Sequence, residues 1–329
     1  MGNVPGRLEK ETRFYENIRI KLQSAPKIMG EYCTSMRANR KAYTTVGVYI
    51  NNVLHFANFI CSGDITEDFY KHISPSDVES YMISLETRQT ADGVKRMGDD
   101  ILQTRWSSLN TFFEWLIQRG YIDKNPINVI SRPKNNTEHK ISYLTKAEIG
   151  RLFKAISKSS NEVAAMRDRA LFSLAIATGM RASALLNINI ADIDFDNGFI
   201  SVIEKRQKVR EIQIGQNTMC VLQDWIDIRN REFGDFGMDA LFVSQKGGRL
   251  SPDAANDSLR KYCDIAGIQK KITMHKLRAT AACALAKAGV PVKAIAKQLG
   301  HSNTQVTMRY IDVFSEDSEK AKGILDNLF

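Results

Sequence analysis

The chain has 329 residues, of which 43% are hydrophobic and 25% are charged. At roughly 150 residues per domain this length predicts about two domains, and the 15 Phe and 10 Tyr exclude a mainly disordered chain. No apolar run approaches the roughly 18 residues that a membrane-spanning helix needs, and the polar residues 1–10 lack the apolar core of a signal peptide. We therefore expect a folded protein without a membrane partner.

The net charge and the cysteines indicate what kind of partner and which cellular location to expect. The formal net charge is +9, and basic residues are in excess in both halves of the chain. This balance is compatible with DNA or RNA as a partner, although many basic proteins bind neither. The five cysteines contain no C-x-x-C pair, which argues against a disulfide framework and a thiolate zinc site and favours a reducing, cytoplasmic location. Because phosphate-loop, dinucleotide-binding and metalloprotease motifs are absent from the sequence, we expect no cofactor and no metal.

The first part of the chain has a helical pattern. Residues 1–27 are polar and basic and predict a tail or a loosely attached helix. From there to about residue 130 the pattern predicts only helices. The signals are apolar spacing over Tyr43–Ile60, a capping box from Ser74 to Asp77, and an apolar repeat over Leu102–Ile117 that Gly120 ends.

The second part is predicted to be mostly helical with a small sheet. The segment Arg132–Lys140 has no apolar residue and reads as a linker. A second capping box at Thr145 opens a helix over Lys146–Ile156, and the apolar run Ala164–Ala177 predicts a helix buried on all sides. Two β-branched runs, residues 199–203 and 209–214, flank a basic turn and predict an antiparallel hairpin. The fold class is therefore mainly α with a small antiparallel β-sheet in the second domain.

Residues with cationic or proton-transferring side chains recur at the ends of these predicted elements. Each has an ordinary structural interpretation when taken alone, as a helix cap, a hairpin charge or a core histidine. The segment Pro291–Tyr310 also resembles a helix-turn-helix, in which Tyr310 would only contact DNA. In chain order the motifs are Ala177-Thr178-Gly179-Met180-Arg181, the run Glu204–Arg210 with Lys205, His275-Lys276-Leu277-Arg278, Leu299-Gly300-His301 and Tyr310.

These five motifs, in their order and spacing along the chain, resemble the motifs of the tyrosine recombinase (phage integrase) family. The resemblance covers about Leu144–Ile311 by motif and extends to the N-terminal part by layout. It departs from the family pattern at Ala184, where an acidic residue is frequent, at Glu204, where glycine is common, and after Tyr310, where Ile311-Asp312 replaces the frequent Thr-His.

The resemblance implies a domain organisation. Residues 1–27 are a tail, 28–133 an all-α core DNA-binding domain, 134–142 a linker, 143–314 the catalytic domain, and 315–329 a C-terminal helix that docks on a neighbouring protomer. Docking of this helix on its own domain stays open. Four protomers would assemble on two DNA core sites.

The resemblance also implies a reaction, the cleavage and rejoining of duplex DNA through a 3′-phosphotyrosine and a Holliday junction, without metal or ATP. Tyr310 would be the nucleophile. Arg181 and Arg278 would bind the non-bridging oxygens of the scissile phosphate, since a planar guanidinium suits them. Lys205 would protonate the leaving 5′-oxygen. His275 and His301 would assist by proton transfer and hydrogen bonding, and the sequence does not decide which of them is the base.

Further DNA contacts are predicted on charge and helical phase alone. They are Arg37, Arg40, Lys41 and Arg105 in the first domain and Arg206, Lys208 and Arg210 in the hairpin. Two other functions remain open at this point. One is a nicking and closing enzyme similar to type IB topoisomerases, and the other is a non-catalytic DNA-binding regulator. The sequence identifies neither the target DNA nor the biological role, which could be dimer resolution or the integration of a mobile element.

Overall fold

The computed structural model describes residues 15–61, 65, 67–90, 93–134, 141–203, 209–234, 237–301 and 303–312. The chain divides into two compact units, Met1–Glu138 and His139–Phe329. The boundary falls inside the segment that the sequence predicts as a linker. The C-terminal helix predicted for residues 315–329 lies outside the described residues.

The first unit is built from helices around an aromatic core. Ile18 of the first helix is buried in that core, so part of the predicted tail belongs to the fold. The core centres on large buried rings, among them Phe56, Phe112 and Phe113. The helices are α1 (15–23), α2 (Lys27–Ala38), α3 (Tyr43–Ile60), α4 (Pro75–Ser84) and α5 (Asp99–Gln118).

Local signals set the ends of these helices. The Ser74 hydroxyl accepts a hydrogen bond from the backbone N–H of Asp77, whose carboxylate accepts from the N–H of Ser74, so the predicted capping box is confirmed. Gly120 adopts a positive φ of 74° just after α5, a conformation that favours glycine. The predicted helix bounds at Tyr43–Ile60 are confirmed as well.

One element of this unit is not helical. An antiparallel hairpin, β1 (Thr87–Thr90) and β2 (Gly93–Arg96), lies between α4 and α5. The all-helical prediction for this part of the chain therefore needs this correction. The physical reason is that these strands are mostly polar, so no apolar alternation signals them, while Gly93 begins β2 at a positive φ of 110° that favours glycine.

The second unit combines helices with a three-stranded sheet, which confirms the predicted fold class. The strands β3 (Ile193–Asp194), β4 (Phe199–Ile203) and β5 (Val209–Gln213) form one antiparallel sheet in chain order. The helices are α6 (Lys146–Ile156), α7 (Glu162–Thr178), α8 (Ala182–Leu186), α9 (Gln216–Phe233), α10 (Pro252–Ile265), α11 (Met274–Lys287), α12 (Val292–Leu299) and α13 (Gln305–Asp312).

Helix α7 lies at the centre of this unit and packs against α6, α9, α10 and α11. Its charged residues Arg167 and Asp168 form a buried ion pair with an N–O distance of 2.8 Å. The Ser258 hydroxyl donates to the Asp168 carboxylate, and the Arg167 guanidinium donates to the Val243 carbonyl at 3.3 Å. These bonds let α7 carry charge into the core, because a buried ion pair needs its remaining polar atoms satisfied.

Within the described part of the chain, no helix has the length and apolar character that crossing a bilayer requires. All five cysteines are described and carry free thiols.

Candidate active site

The site begins where α7 ends. Gly179 takes the left-handed conformation there, with φ 62°, and the Thr178 hydroxyl accepts a hydrogen bond from the backbone N–H of Met180 at 3.3 Å. This turn places Arg181 as the N-cap residue of α8. The A-T-G-x-R motif is thus a helix stop followed by a helix start, and it presents the arginine between the two helices.

The backbone of Gly179 lies against α11 and α12. A Cβ atom at this position would come within 2.4 Å of Leu299 Cδ2 and 3.3 Å of Ala281 Cβ, so only glycine fits without a shift of its neighbours. Arg181 donates from Nη2 to the carbonyl oxygen of Gly300 at 3.2 Å. The sequence left open what orients Arg181 when position 184 is alanine, and this carbonyl does so.

Helix α11 brings the H-x-x-R motif to the same turn. Its first N–H, from Met274, donates to the side-chain oxygen of Asn256 at 2.8 Å, which fixes the start of the helix. His275 stands exposed in the first turn, and Arg278 is buried one turn later. Arg278 donates from Nη1 to the carbonyl oxygen of Gly179 at 2.8 Å, so the C-terminus of α7 orients this guanidinium.

The L-G-H motif and the tyrosine follow from α12. Gly300 has φ 68° and ends α12, as the sequence predicts. The His301 Nδ1 atom lies 2.7 Å from the hydroxyl of Thr307, which is fully buried in α13. The rings of His301 and Tyr310 stack with centroids 6.3 Å apart and an angle of 16° between their planes. Tyr310 packs in one apolar cluster with α11 and α12 of its own chain.

Burial and neighbouring charges set the protonation states of the two histidines and the tyrosine in this cluster. Burial lowers the pKa of His301 from 6.5 to about 4, and the charges of Arg278 and Arg181 act in the same direction. Partial desolvation, followed by the charge of Arg278, lowers the pKa of His275. Burial raises the pKa of Tyr310, and Arg278 opposes that rise. Near neutral pH the cluster therefore holds two cations, two neutral imidazoles and a protonated phenol.

The structure thus brings five of the six predicted catalytic residues together in one unit: Arg181, His275, Arg278, His301 and Tyr310. The sixth, Lys205, lies outside the described residues, as do Arg206 and Lys208. Sequence reasoning missed Thr307 as the partner of His301. Its signal is the strong amphipathic pattern of α13, in which Thr307 falls on the same face as Tyr310, three residues later.

Arg210 lies in β5 and donates from Nη1 to the carbonyl oxygens of Lys297 and Gln298, at 2.8 and 3.1 Å. Both acceptors belong to the last turn of α12. The sequence assigned Arg210 to the DNA surface, and the structure gives it this second, intramolecular contact.

The candidate DNA contacts of the first unit differ in their surroundings. Arg40 and Lys41 are exposed, and Arg40 has a positive φ of 56°. The Arg37 guanidinium lies 3.6 Å from the centroid of the Tyr43 ring and donates to the Lys41 carbonyl. Arg105 donates to the Tyr81 hydroxyl at 3.3 Å.

Metal ligands were searched for in the part of the chain that the structure describes. It contains no group of three or more His, Cys, Asp and Glu side chains that could hold a metal ion.

Three comparisons place the chain among known proteins. A tyrosine recombinase XerC of Leptospira interrogans is 28% identical over 272 residues, which are 83% of this chain and 84% of the relative. A tyrosine recombinase XerC of Escherichia coli O157:H7 is 30% identical over 216 residues, 66% of this chain and 70% of the relative.

Among solved structures, the XerH site-specific recombinase bound to a palindromic difH substrate has a TM-score of 0.71 at 19% identity. The match covers 91% of this chain and 84% of that one, and at this identity it shows the fold. The model of the phage integrase family matches residues 142–317, more than half of the chain and all five motifs. This chain is therefore a member of the phage integrase family, the tyrosine recombinases.

Proposed function

We propose that this protein is a site-specific recombinase that cleaves and rejoins double-stranded DNA through a covalent link to Tyr310. One observation carries the proposal. The Tyr310 ring is buried against His301 and lies within the electrostatic field of Arg278, in the unit that also holds Arg181 and His275. A nucleophile, proton acceptors and two cations are thus assembled in one polypeptide.

The two arginines would bind the scissile phosphate. Each guanidinium donates to a backbone carbonyl, that of Gly300 for Arg181 and that of Gly179 for Arg278. A guanidinium held in this way is preorganised for the charge that builds on the non-bridging oxygens in the transition state, and losing such a group costs about 10²–10³ in rate. A neutral carbonyl orients the cation without cancelling its charge.

The protonation states fit proton transfer from Tyr310 during attack. The raised pKa keeps the phenol protonated before DNA arrives, so it needs a base. Both histidines are neutral and can accept a proton, and which of them does so stays open. A bound phosphate offsets the field of the arginines, so we expect it to raise the pKa of the acceptor at the moment the proton moves.

The chemical step balances without a cofactor. The Tyr310 oxygen forms a bond to phosphorus, the bond to the 5′-oxygen breaks, and the phenolic proton passes to a neutral histidine. Lys205 would give a proton to the leaving 5′-oxygen. The phosphotyrosine stores the energy of the broken bond, so attack by another 5′-hydroxyl reverses the step and exchanges strands.

Strand exchange requires more than one protomer. We propose a homotetramer on two core sites, with a Holliday junction as intermediate and the segment 315–329 docking on a neighbour. The proposed DNA contacts stay those predicted from the sequence: Arg37, Arg40, Lys41, Arg105, Arg206, Lys208 and Arg210. A cytoplasmic location agrees with the free thiols.

The test first selects, from a randomised pool, the duplexes that the protein binds. Each selected duplex is then synthesised again with a nick beside the cleavage position. The released fragment diffuses away, so wild type should accumulate as a species that resists SDS. Tyr310→Phe should bind with unchanged affinity and trap nothing. Its control is Tyr262→Phe, which alters another buried tyrosine of the same unit and should trap normally. Trapping by Tyr310→Phe, or binding without trapping by wild type, would refute the proposal.

The two other functions make different predictions in the same system. A type IB-like enzyme would relax supercoiled plasmid as a monomer and would not join two duplexes, whereas a recombinase joins them. A non-catalytic regulator would bind DNA equally well with either residue at position 310 and form no adduct. The comparisons with recombinases do not favour either alternative.

A further inference from the structure

Helix α11, which carries His275 in its first turn, begins without a cap from its own segment. Ser74, Thr145 and Ser251 each precede a helix and accept a hydrogen bond from an N–H of its first turn. In the described structure, the side chain of Thr273, the N-cap residue of α11, accepts no such bond. The first N–H groups of a helix lack partners inside the helix, so α11 needs a partner from elsewhere in the fold.

Asn256 of α10 supplies this partner from 18 positions earlier in the sequence. Its Oδ1 atom accepts from the backbone N–H of Met274 at 2.8 Å, and its Nδ2 atom donates to the carbonyl of Pro252 at 2.9 Å. Because one end of the amide accepts and the other donates, these two bonds determine its orientation. The side chain of Asn256 therefore joins the first residue of α10 to the first residue of α11.

The core holds both elements that this hydrogen bond connects. Helix α10 packs into the core of its unit through Ala255 and Leu259, which are fully buried. The Met274 side chain is buried in the same hydrophobic cluster. A hydrogen bond between elements that are already ordered costs little further conformational entropy. The contact of Asn256 with Met274 thus fixes where the backbone of α11 begins.

His275 depends on this start of the helix more than Arg278 does. Arg278 is buried and donates to the carbonyl of Gly179 at 2.8 Å, so a second contact holds it. His275 is exposed, and among the described residues no hydrogen bond holds its imidazole. The imidazole interacts electrostatically with Arg278 and Arg181, the two arginines that would bind the phosphate. A loosened first turn would therefore move His275 relative to both arginines.

We infer that Asn256 is a positioning residue, which caps α11 from α10 and so holds His275 beside the phosphate-binding arginines. This inference rests on the proposed function, and it adds a residue outside the five motifs to those on which the rate depends. Asn256 acts through His275 and has no contact of its own with the reacting atoms. A misplacement of about 1 Å can cost about 10²-fold in rate, so loss of the cap should be visible in the rate of trapping.

The experiment measures covalent trapping on the nicked duplex at saturating protein, and DNA affinity in parallel. Asn256→Ala removes the acceptor and should slow trapping by about 10- to 100-fold, with DNA affinity changed by less than about twofold. Asn256→Asp keeps an acceptor for the N–H of Met274, and its negative charge is favourable at a helix N-terminus. It should trap within about threefold of the wild-type rate, because Asn and Asp cap helices about equally well.

Ser251→Ala is the matched control on the same helix. It removes the cap of α10, which accepts from the N–H of Ala254 at 3.1 Å, and leaves the acceptor of Met274 in place. Ser251→Ala should therefore trap within about threefold of the wild-type rate, although it also loses a helix cap.

A double-mutant cycle with His275 separates positioning from a purely structural role. If Asn256 acts through His275, Asn256→Ala should slow trapping in the wild-type background but by less than about threefold in the His275→Ala background. Trapping on a nicked duplex is irreversible, so the slow reaction of His275→Ala can be followed for a long time.

Several results would overturn the inference. Equal slowing by Asn256→Ala in both backgrounds would mean that Asn256 supports the fold or Arg278. Equal slowing by Ser251→Ala, unchanged trapping by Asn256→Ala, or weakened DNA binding would each contradict it as well. If Asn256→Ala does not fold, Asn256→Gln takes its place in the cycle, because its longer side chain displaces the acceptor. If His275→Ala is too slow to measure, the comparison of Asn256→Ala with Asn256→Asp and Ser251→Ala decides. Failure of wild type to trap would instead refute the proposed function.

Discussion

Replacing Gly179 with alanine tests how closely α7 and α12 approach in the site. Alanine at φ 62° costs about 1 kcal/mol because its Cβ disfavours the left-handed conformation. The same Cβ would lie 2.4 Å from Leu299 Cδ2 and 3.3 Å from Ala281 Cβ. Leu299 must turn or α12 must shift, and overpacking of this kind costs about 1–3 kcal/mol. We therefore expect a loss of about 2–4 kcal/mol in the free energy of unfolding.

Gly289 supplies the matched control. It follows α11 with φ 76°, and a Cβ there meets nothing within 4 Å. Gly289→Ala should therefore cost only the conformational part, about 1 kcal/mol. Hydrogen exchange of peptides from α7, measured in the intact chain, reports the opening free energy of the unit that contains this helix. Covalent trapping should be slower in Gly179→Ala than in Gly289→Ala, because Leu299 immediately precedes Gly300 and His301.

Equal destabilisation by the two substitutions would refute this account of the site. A double variant sharpens the test, because Leu299→Ala removes the side chain that the new methyl group meets. The costs of Gly179→Ala and Leu299→Ala should then be less than additive by about 1 kcal/mol or more. Strict additivity would mean that alanine at 179 acts through its backbone conformation alone.

Further predictions concern buried charge and pH. Asp168→Ala leaves Arg167 buried without its partner and should lower the free energy of unfolding by about 3–5 kcal/mol. Asp257→Ala, which removes one member of an exposed ion pair, should change this free energy by less than about 1 kcal/mol. The same hydrogen-exchange measurement reports both. The pKa of His301 is lower in the folded state than in the unfolded state, so the folded state binds fewer protons between about pH 4 and 6.5. The free energy of unfolding therefore falls as the pH drops through this window. His301→Asn should reduce that fall in denaturation curves measured at several pH values. Thr307→Val removes the hydroxyl beside His301 Nδ1 and should slow trapping by about tenfold, with DNA affinity unchanged, and an unaltered rate would contradict a role for this contact.

Helix ends could be predicted because their signals are local. The capping box at Thr145 involves only residues within one turn, and α6 spans Lys146–Ile156 as predicted. Gly300 ends α12 through its own conformation. The motifs could also be recognised, because each is a short run of residues that can be read directly from the sequence. Each of these signals depends only on residues close together in the sequence.

Contacts between distant segments could not be predicted in the same way. Nothing near Arg181 in sequence indicates that its partner is the carbonyl of Gly300. The contact of Arg210 with α12 is a second example, although the alternation of Arg210 with Ile212 and Ile214 indicates the inner face of the strand. The DNA contact predicted at Arg210 stays a prediction. The β1–β2 hairpin was missed because its strands have little apolar alternation.

The use of backbone carbonyls to orient Arg181 and Arg278 has an electrostatic consequence for the site. A carboxylate partner would fix a guanidinium equally well, but its charge would cancel much of the field that a phosphate meets. A carbonyl is a dipole, so the positive field persists, and it contributes to the lowered pKa of His301. The carbonyls of Gly179 and Gly300 stand at the C-terminal ends of α7 and α12, and each accepts from one of the two arginines. Both helix ends must therefore lie in the site, which brings Gly179 into close packing with Leu299. Alanine at position 184, which brings no carboxylate to Arg181, therefore fits a site whose cations are held by helix ends.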